Sequence, residues 1–308
     1  MNDSPMIKPP SKINVVFDTS QYDMFRLCEQ RYAYRYKYNL VPIGEQNENL
    51  DRGNLIHICC ETYYESLKSG AKYDYAVNAS LLKMREAATI QSDLPEEYVN
   101  ALLTTMEEYF DFWRVADQSF EIVEVEKPFI YKLYEDDTIR IHMAGKIDLI
   151  VSDNKYTNVP YDHKSFKRSG PVRGMSNQFK NYCVATNSFI LWVNRIGVQK
   201  TLKPHEKFLR VPLTYDHLKL QQWKDNTVKV IMHYLQCEVD NSWPLNETSC
   251  EKYNRICEYY EICDSSGQEA KDYKLSTQFM QIDAWDVSKI LRKSSEILKG
   301  EVAVKTQG

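Results

Sequence analysis

Asp162 and Lys164 stand two residues apart in VPYDHKS (Val159–Ser165), where an extended backbone turns both side chains to one face and His163 to the other. A second run, AGKIDLIV (Ala144–Val151), carries Asp148, and the SDNK between the two runs (Ser152–Lys155) is turn chemistry. A hairpin centred near Lys155 brings Asp148 opposite Asp162, to within one residue of register. Two carboxylates and an ammonium then converge on one patch. Oxygen ligands at that spacing suit a hard divalent cation, Mg2+ or Mn2+, and a lysine beside them orients a water or offsets charge on a phosphate. Such a set is equipped for phosphodiester cleavage.

The elements around it follow from periodicity. From Phe120 the texture is alternating and β-branched, giving three successive strands, EIVEVEKPFIYKLY, TIRIHMAGKIDLIV and YTNVPYDHKS. A helix is expected over Ser176–Arg195, with Gln178 and Tyr182 on one face, then a strand over Lys207–Leu213 and a long helix from Tyr215 to about Val239. Upstream lies a helical half: Asn54–Ser69, Tyr73–Gln91 and Glu96–Ala116. Gly53 is expected to permit close backbone approach just before the first of these, with His57 one turn in and Glu61 four residues on as a secondary ligand candidate. Residues 1–18 read as a flexible lead, and Thr19 or Ser20 as the N-cap of a helix QYDMFRLCEQRYAYRYKYNL with Cys28 in its middle. Its Tyr32, Tyr34, Tyr36 and Tyr38 could stack on bases, although tyrosines along a helix more often pack in a core. Residues 19–265 form the main domain, and 266–308 a polar extension with one amphipathic helix near Ala284–Leu298.

The chain has 308 residues, 43% of them hydrophobic, which is enough for a sizeable core. Its net charge of -4 excludes a generally basic surface, so any nucleic-acid contact must be local. Lys164, Lys167, Arg168, Arg173 and Lys180 form such a cluster, with no acidic residue between His163 and Lys180. Without an apolar run of about 18 residues or a signal peptide, the expected compartment is the cytoplasm, or the host cytoplasm for a phage protein. Disulfides are not expected there. Cys250-x6-Cys257-x5-Cys263, with Cys28 far upstream, fits a four-cysteine iron-sulfur site; a structural zinc is the alternative, although zinc sites usually show tighter Cys-x2-Cys pairs. Cys59, Cys60, Cys183 and Cys237 remain as packing or unassigned thiols.

Gly145-Lys-Ile-Asp148 and Asp162-His-Lys164, with Gly53-x3-His57, Glu126 plus Phe129, and Gln178-x3-Tyr182, resemble the PD-(D/E)XK nucleases. Within that superfamily they resemble the RecB-like branch of CRISPR adaptation nucleases and phage recombination exonucleases. The resemblance spans most of residues 19–265. It implies a restriction-endonuclease-like α/β fold, a mixed central sheet flanked by helices, with N- and C-terminal segments joined by a 4Fe-4S cluster on Cys28, Cys250, Cys257 and Cys263. It implies metal ligation by His57, Asp148 and Asp162, aided by the carbonyl of His163, with Lys164 as the catalytic lysine. Glu126 would be the acid of the first strand, register leaving Glu124 equally able, and Gln178 and Tyr182 would orient DNA or Lys164. The expected activity is metal-dependent exonucleolytic hydrolysis of single-stranded DNA ends in recombination, repair or processing, alongside a helicase, a recombinase or a CRISPR adaptation protein. The alternatives are a structure-specific endonuclease, a catalytically silent DNA-binding scaffold and an iron-sulfur electron carrier. The intact acidic set favours neither of the last two.

Overall fold

The computed structural model describes residues 12–44, 48–91, 94–167, 170–172, 174–199, 201–252 and 255–288. In chain order the elements are β1 (Ile13–Phe17), α1 (Thr19–Leu27), α2 (Glu29–Tyr32) running into a π-turn (Ala33–Lys37), β2 (Leu40–Pro42), α3 (Glu48–Lys68), α4 (Tyr73–Gln91) and α5 (Glu96–Trp113). A short 3-10 turn (Ala116–Ser119) leads into β3 (Glu121–Glu135), β4 (Ile139–Ser152), β5 (Val159–Phe166), α6 (Asn177–Thr186), β6 (Ile190–Gly197), α7 (Pro204–Lys207), β7 (Phe208–Thr214) and α8 (His217–Asp240). The chain closes with β8 (Glu251–Lys252), β9 (Arg255–Ile256), α9 (Tyr260–Cys263), α10 (Gln268–Gln278) and β10 (Phe279–Gln281). No helix among the described residues is long and apolar enough to cross a membrane.

Two compact units result. One comprises Met1–Ile43, Ile130–Gly145 and Gln222–Gly308, the other Gly44–Phe129 and Lys146–Gln221; β3 and β4, which pair with each other, contribute residues to both. In the second unit β4 meets β5 antiparallel, β5 runs parallel to β6, and β6 meets β7 antiparallel, a mixed sheet. Its helical face is α3, α4 and α5, whose Leu55, Ile56, Tyr63, Met84, Met106 and Phe110 are buried with Leu149, Val151 and Tyr161 of the sheet. Each such side chain contributes about 1.5–3 kcal/mol of burial. On α6, Phe179, Tyr182 and Cys183 bury with Ile147, Leu191 and Val193.

In the first unit β1 runs parallel to the opening half of β4, from Ile13↔Ile139 to Phe17↔Met143. Ile13–Phe17, expected within a flexible lead, is therefore a strand. Asp18, rather than Thr19 or Ser20, caps α1, its carboxylate accepting from the Gln21 N–H at 2.8 Å. The long helix expected next is broken at Cys28, whose backbone is extended; the freed Leu27 carbonyl is taken by Asn246 Nδ2 at 2.8 Å. Tyr32 and Tyr34 are buried, the first among Phe17, Phe25 and Trp243 and the second against Tyr259, so their rings are committed to packing rather than to bases. Of the helix expected near Ala284–Leu298, residues 284–286 are non-helical and Val287 and Ser288 are helical, and residues 289–308 lie outside the described residues. A helix that was not expected, α10, lies upstream of it.

Two further expectations change in the second unit. Gly53 is inside α3, not ahead of it, and a Cβ placed there would meet nothing within 4 Å, so close approach is not its role. The helix expected over Ser176–Arg195 ends at Thr186, because Asn187 takes the left-handed conformation (φ 52°) that terminates helices, and the apolar ILWVNRIG then becomes β6.

Candidate active site

The register Leu149↔Tyr161, Ile150↔Pro160, Val151↔Val159 makes Asp148 and Asp162 the next residues along β4 and β5. Asp148 Oδ2 accepts the His163 backbone N–H at 2.7 Å. Asp162 Oδ1 accepts from Lys164 Nζ at 3.0 Å, as the shared face requires. Its Oδ2 is buried with no hydrogen-bond partner. Burial pushes both carboxyls up to about 6, opposed at Asp148 by the His163 N–H and at Asp162 by the Lys164 charge.

His57, on α3, brings Nδ1 to 3.6 Å from Asp148 Oδ2 and 4.0 Å from Glu126 Oε1. One ligand atom each from His57, Glu126 and Asp148 lies within 4.8 Å of the others. Burial lowers the His57 pKa, which keeps an imidazole lone pair available. Glu126 has φ 48°, a conformation rare for any residue but glycine, asparagine and aspartate, and the departure from regular strand geometry separates it from Glu124. Glu126 is buried in the site, its carboxyl raised by burial and then by the Asp148 charge, whereas Glu124 pairs with Lys68 (2.8 Å) and Lys127 (3.0 Å). The open choice between the two acids falls to Glu126. Glu61 lines a cleft along α3 and α4 and is not in the ligand group.

Lys164 is held from a second side by Gln178 Oε1 at 3.0 Å. Gln178 Nε2 donates to the Tyr182 hydroxyl at 2.9 Å, and that hydroxyl donates to the Lys146 carbonyl at 2.6 Å. Tyr182 is buried, so the pair orients Lys164 through Gln178. Lys146 Nζ pairs with Glu126 Oε2, a second cation in the site that sequence reasoning left unassigned; its position two residues before Asp148 on a strand was the available signal. The His163 ring turns to the other face, stacked on Tyr64 at 5.7 Å.

The basic segment is only partly visible. Lys167 is exposed, near the Tyr98 ring (5.9 Å), while Arg168 and Arg173 lie outside the described residues. Lys180, expected to face phosphates, is buried with Nζ donating to the Met175 carbonyl at 3.1 Å, so the helix packing has taken it.

Cys28, Cys250, Cys257 and Cys263 all belong to the first unit and carry free thiols. No three of their sulfurs lie within 4.8 Å of one another, whereas a tetrahedral zinc with about 2.3 Å bonds holds its sulfurs about 3.8 Å apart. Burial pushes the Cys263 thiol up to about 11, and the charges of Cys257, Cys28 and Cys250 add to it. The N- and C-terminal segments are tied here by Arg31–Glu258 (2.7 Å), by the Tyr259 hydroxyl on the Leu40 carbonyl (2.7 Å), and by β2 pairing with β10.

No curated protein matches the chain. A crystal structure of a provisionally assigned exonuclease from Eubacterium rectale is similar over 78% of this chain and 88% of its own, at 13% identity and a TM-score of 0.43. The protein SSO0001 is similar over 60% and 78%, at 12% identity and a TM-score of 0.30. The sequence profile of the PD-(D/E)XK nuclease superfamily matches residues 18–264, which include every residue of the site above, and the chain belongs to that superfamily.

Proposed function

We propose that this nuclease is a divalent-metal-dependent deoxyribonuclease that hydrolyses phosphodiester bonds from the ends of single-stranded DNA. The observation that carries the metal dependence is the His57, Glu126 and Asp148 ligand group, with Asp162 next to Asp148 across the β4–β5 pairing and its buried Oδ2 without a partner, although Asp162 is not itself in that group. An unpaired buried charge of this kind is costly unless a cation completes it. His57, Glu126, Asp148 and Asp162 would hold Mg2+ or Mn2+, which when bound supplies an activated water and polarises a phosphoryl oxygen.

The remaining work falls to the chain's own side chains. Lys164, fixed between Asp162 and Gln178, offers its ammonium to the water or to the charge that builds on the phosphate. Three carboxylates, Glu126, Asp148 and Asp162, face two ammoniums, Lys146 and Lys164, so the metal-free site is net negative once the acids ionise. That sign repels a phosphodiester, and a divalent cation reverses it. Exposed Lys167 supports contact with the DNA backbone near the site.

We further propose that Cys28, Cys250, Cys257 and Cys263 ligate a 4Fe-4S cluster that clasps the two ends of the first unit; that all four lie in this unit as free thiols supports it. The activity is tested with end-labelled single- and double-stranded DNA and a covalently closed single-stranded circle, with Mg2+, Mn2+ or chelator. Metal-dependent shortening of the linear single strand, with the circle spared, is expected. Rapid cutting of the circle makes the enzyme an endonuclease, and no cleavage of any substrate overturns the catalytic reading.

A further inference from the structure

His163 on β5, Asn194 on β6 and Arg210 on β7 are successive cross-strand partners, His163↔Asn194 and Asn194↔Arg210. Three polar side chains thus form one row across the sheet, and all three are buried: 3% exposed for His163, 0% for Asn194 and 6% for the Arg210 side chain. Asn194 Nδ2, His163 Nδ1 and Arg210 Nη2 are hydrogen-bonded, while Asn194 Oδ1 and Arg210 Nε are buried without a hydrogen-bond partner. The partners come from the helical side: Tyr64 of α3, Tyr109 of α5 and Asp117 of the 3-10 turn.

The proton directions follow from the inventory of donors. Arg210 Nη2 lies 2.6 Å from Asp117 Oδ1, and the Tyr64 hydroxyl donates to Asp117 Oδ2 at 3.2 Å. A phenol has one proton, so in the Tyr64–Tyr109 pair (3.1 Å) Tyr109 is the donor. The Tyr109 oxygen then accepts from Arg210 Nη2 (3.4 Å) and from Asn194 Nδ2. The Asn194 amide is set with Nδ2 2.7 Å from His163 Nδ1 and Oδ1 buried without a partner, and in that orientation Nδ1 is the acceptor. The ring proton is left on Nε2. One buried carboxylate, Asp117, therefore orders the whole row.

Residue 163 is gripped on both sides. Its side chain is held by Asn194, its backbone N–H holds the Asp148 carboxylate, and its neighbours are Asp162 and Lys164. We propose that the Asp117–Arg210 pair, acting through Tyr64, Tyr109 and Asn194, fixes His163 in one tautomer and one orientation. His163 and Asn194 are then positioning residues of the nuclease site. The inference rests on the nuclease reading above only for its consequence in rate.

The test uses the full chain with 15N-labelled histidine. In the parent, long-range proton–nitrogen spectra should show His163 Nδ1 unprotonated and Nε2 protonated. Tyr109→Phe keeps the ring contacts with Phe110 and Phe208 but removes the acceptor that orients the Asn194 amide, so the tautomer should become mixed. Asn194→Asp places acceptors where the row has a donor and should move the proton to Nδ1. In both, kcat should fall roughly 10-fold or more with KM within about two-fold, as misplacement of a reacting group by a fraction of an ångström produces. If Asn194→Asp does not fold, Tyr109→Phe decides alone. An unchanged tautomer in a folded Tyr109→Phe protein, or a shifted tautomer with parental kcat, overturns the proposal. Absence of cleavage by the parent refutes the nuclease reading instead, since the tautomer is read from the spectrum regardless of activity.

Discussion

Asp162→Asn should raise the stability of the metal-free protein while abolishing its activity. Asp162 is fully buried, and burial pushes its carboxyl up to about 6 from an ordinary 3.8, against the opposing Lys164 charge. At about 1.4 kcal/mol per unit, that rise of about 2 units corresponds to about 3 kcal/mol. The folded state holds this proton more tightly than the unfolded chain does. Its contribution is therefore present in full below about pH 4 and lost as the pH climbs through about 6. At pH 8 in chelator, the parent carries the ionised acid at that cost. Asparagine removes the ionisation but leaves a buried amide hydrogen without an acceptor, which takes back about 1 kcal/mol or more. The net gain expected at pH 8 is about 1–2 kcal/mol, shrinking as the pH falls toward 4. Urea unfolding in chelator at pH 5 and pH 8 measures it, and cleavage of end-labelled DNA should drop about 10²-fold or more. A variant equally destabilised at both pH values would refute the burial argument, and near-parental cleavage would remove Asp162 from the site.

Tyr182→Phe, which deletes the hydroxyl between Gln178 and the Lys146 carbonyl, should cost about 10-fold in cleavage rate with DNA affinity retained; an equal loss in affinity would mean that the phenol touches DNA. Gly197→Ala places a Cβ 2.9 Å from Phe166 Cζ and 3.1 Å from the Lys207 Cα, so it should destabilise by about 1–3 kcal/mol in urea, and an unchanged midpoint would show that the backbone of Lys207 can retreat. Protein purified without oxygen should be brown with about four irons, and Cys257→Ser should bleach it and lower its melting temperature; a colourless parent containing neither iron nor zinc would show the thiols to be unlinked. Affinity for single-stranded DNA, read by anisotropy, should rise roughly 10-fold when Ca2+ replaces chelator, because two added charges about 5 Å from a phosphate are worth about 1–2 kcal/mol in water; equal affinity would argue that the site does not face the scissile phosphate.

How much of this was legible beforehand depends on the range of the interactions involved. β3, β4 and β5 were readable because their segments are rich in β-branched and aromatic residues, and because Asp153 and its neighbours form a tight turn between β4 and β5. The register that sets Asp148 beside Asp162 followed from turn position alone. β6 was not readable: Ile190, Leu191, Trp192 and Val193 sit in a central strand, whose continuous apolar run has no period to distinguish it from the helix before it. The stop signal, Asn187, is a residue type that also occurs within helices. β1 is five residues long and gains its stability from pairing with β4 more than 120 residues away, so nothing local announces it.

The site divides in the same way. Asp162, Lys164, Gln178 and Tyr182 meet through spacings of two and four residues, which a strand and a helix convert directly into contact. Glu126 required a positive φ that no local signal encodes, and Lys180 was lost to burial because a basic run says nothing of which members a helix turns inward. The row behind the site was the least visible part, since it depends on β6. With residues 190–195 read as helix, Asn194 has no neighbour in common with His163 and Arg210, whereas on the sheet it is the residue that joins them. A polar side chain in the middle of an apolar strand is improbable on packing grounds alone. At 0% exposure, Asn194 Nδ2 meets Tyr109 and His163, while its Oδ1 has no partner, and those two residues come from an α-helix and a strand that are far from it in sequence. The catalytic face of β5 can therefore be read from its own residues, but what holds that strand in place can be read only from the strands and helices that surround it.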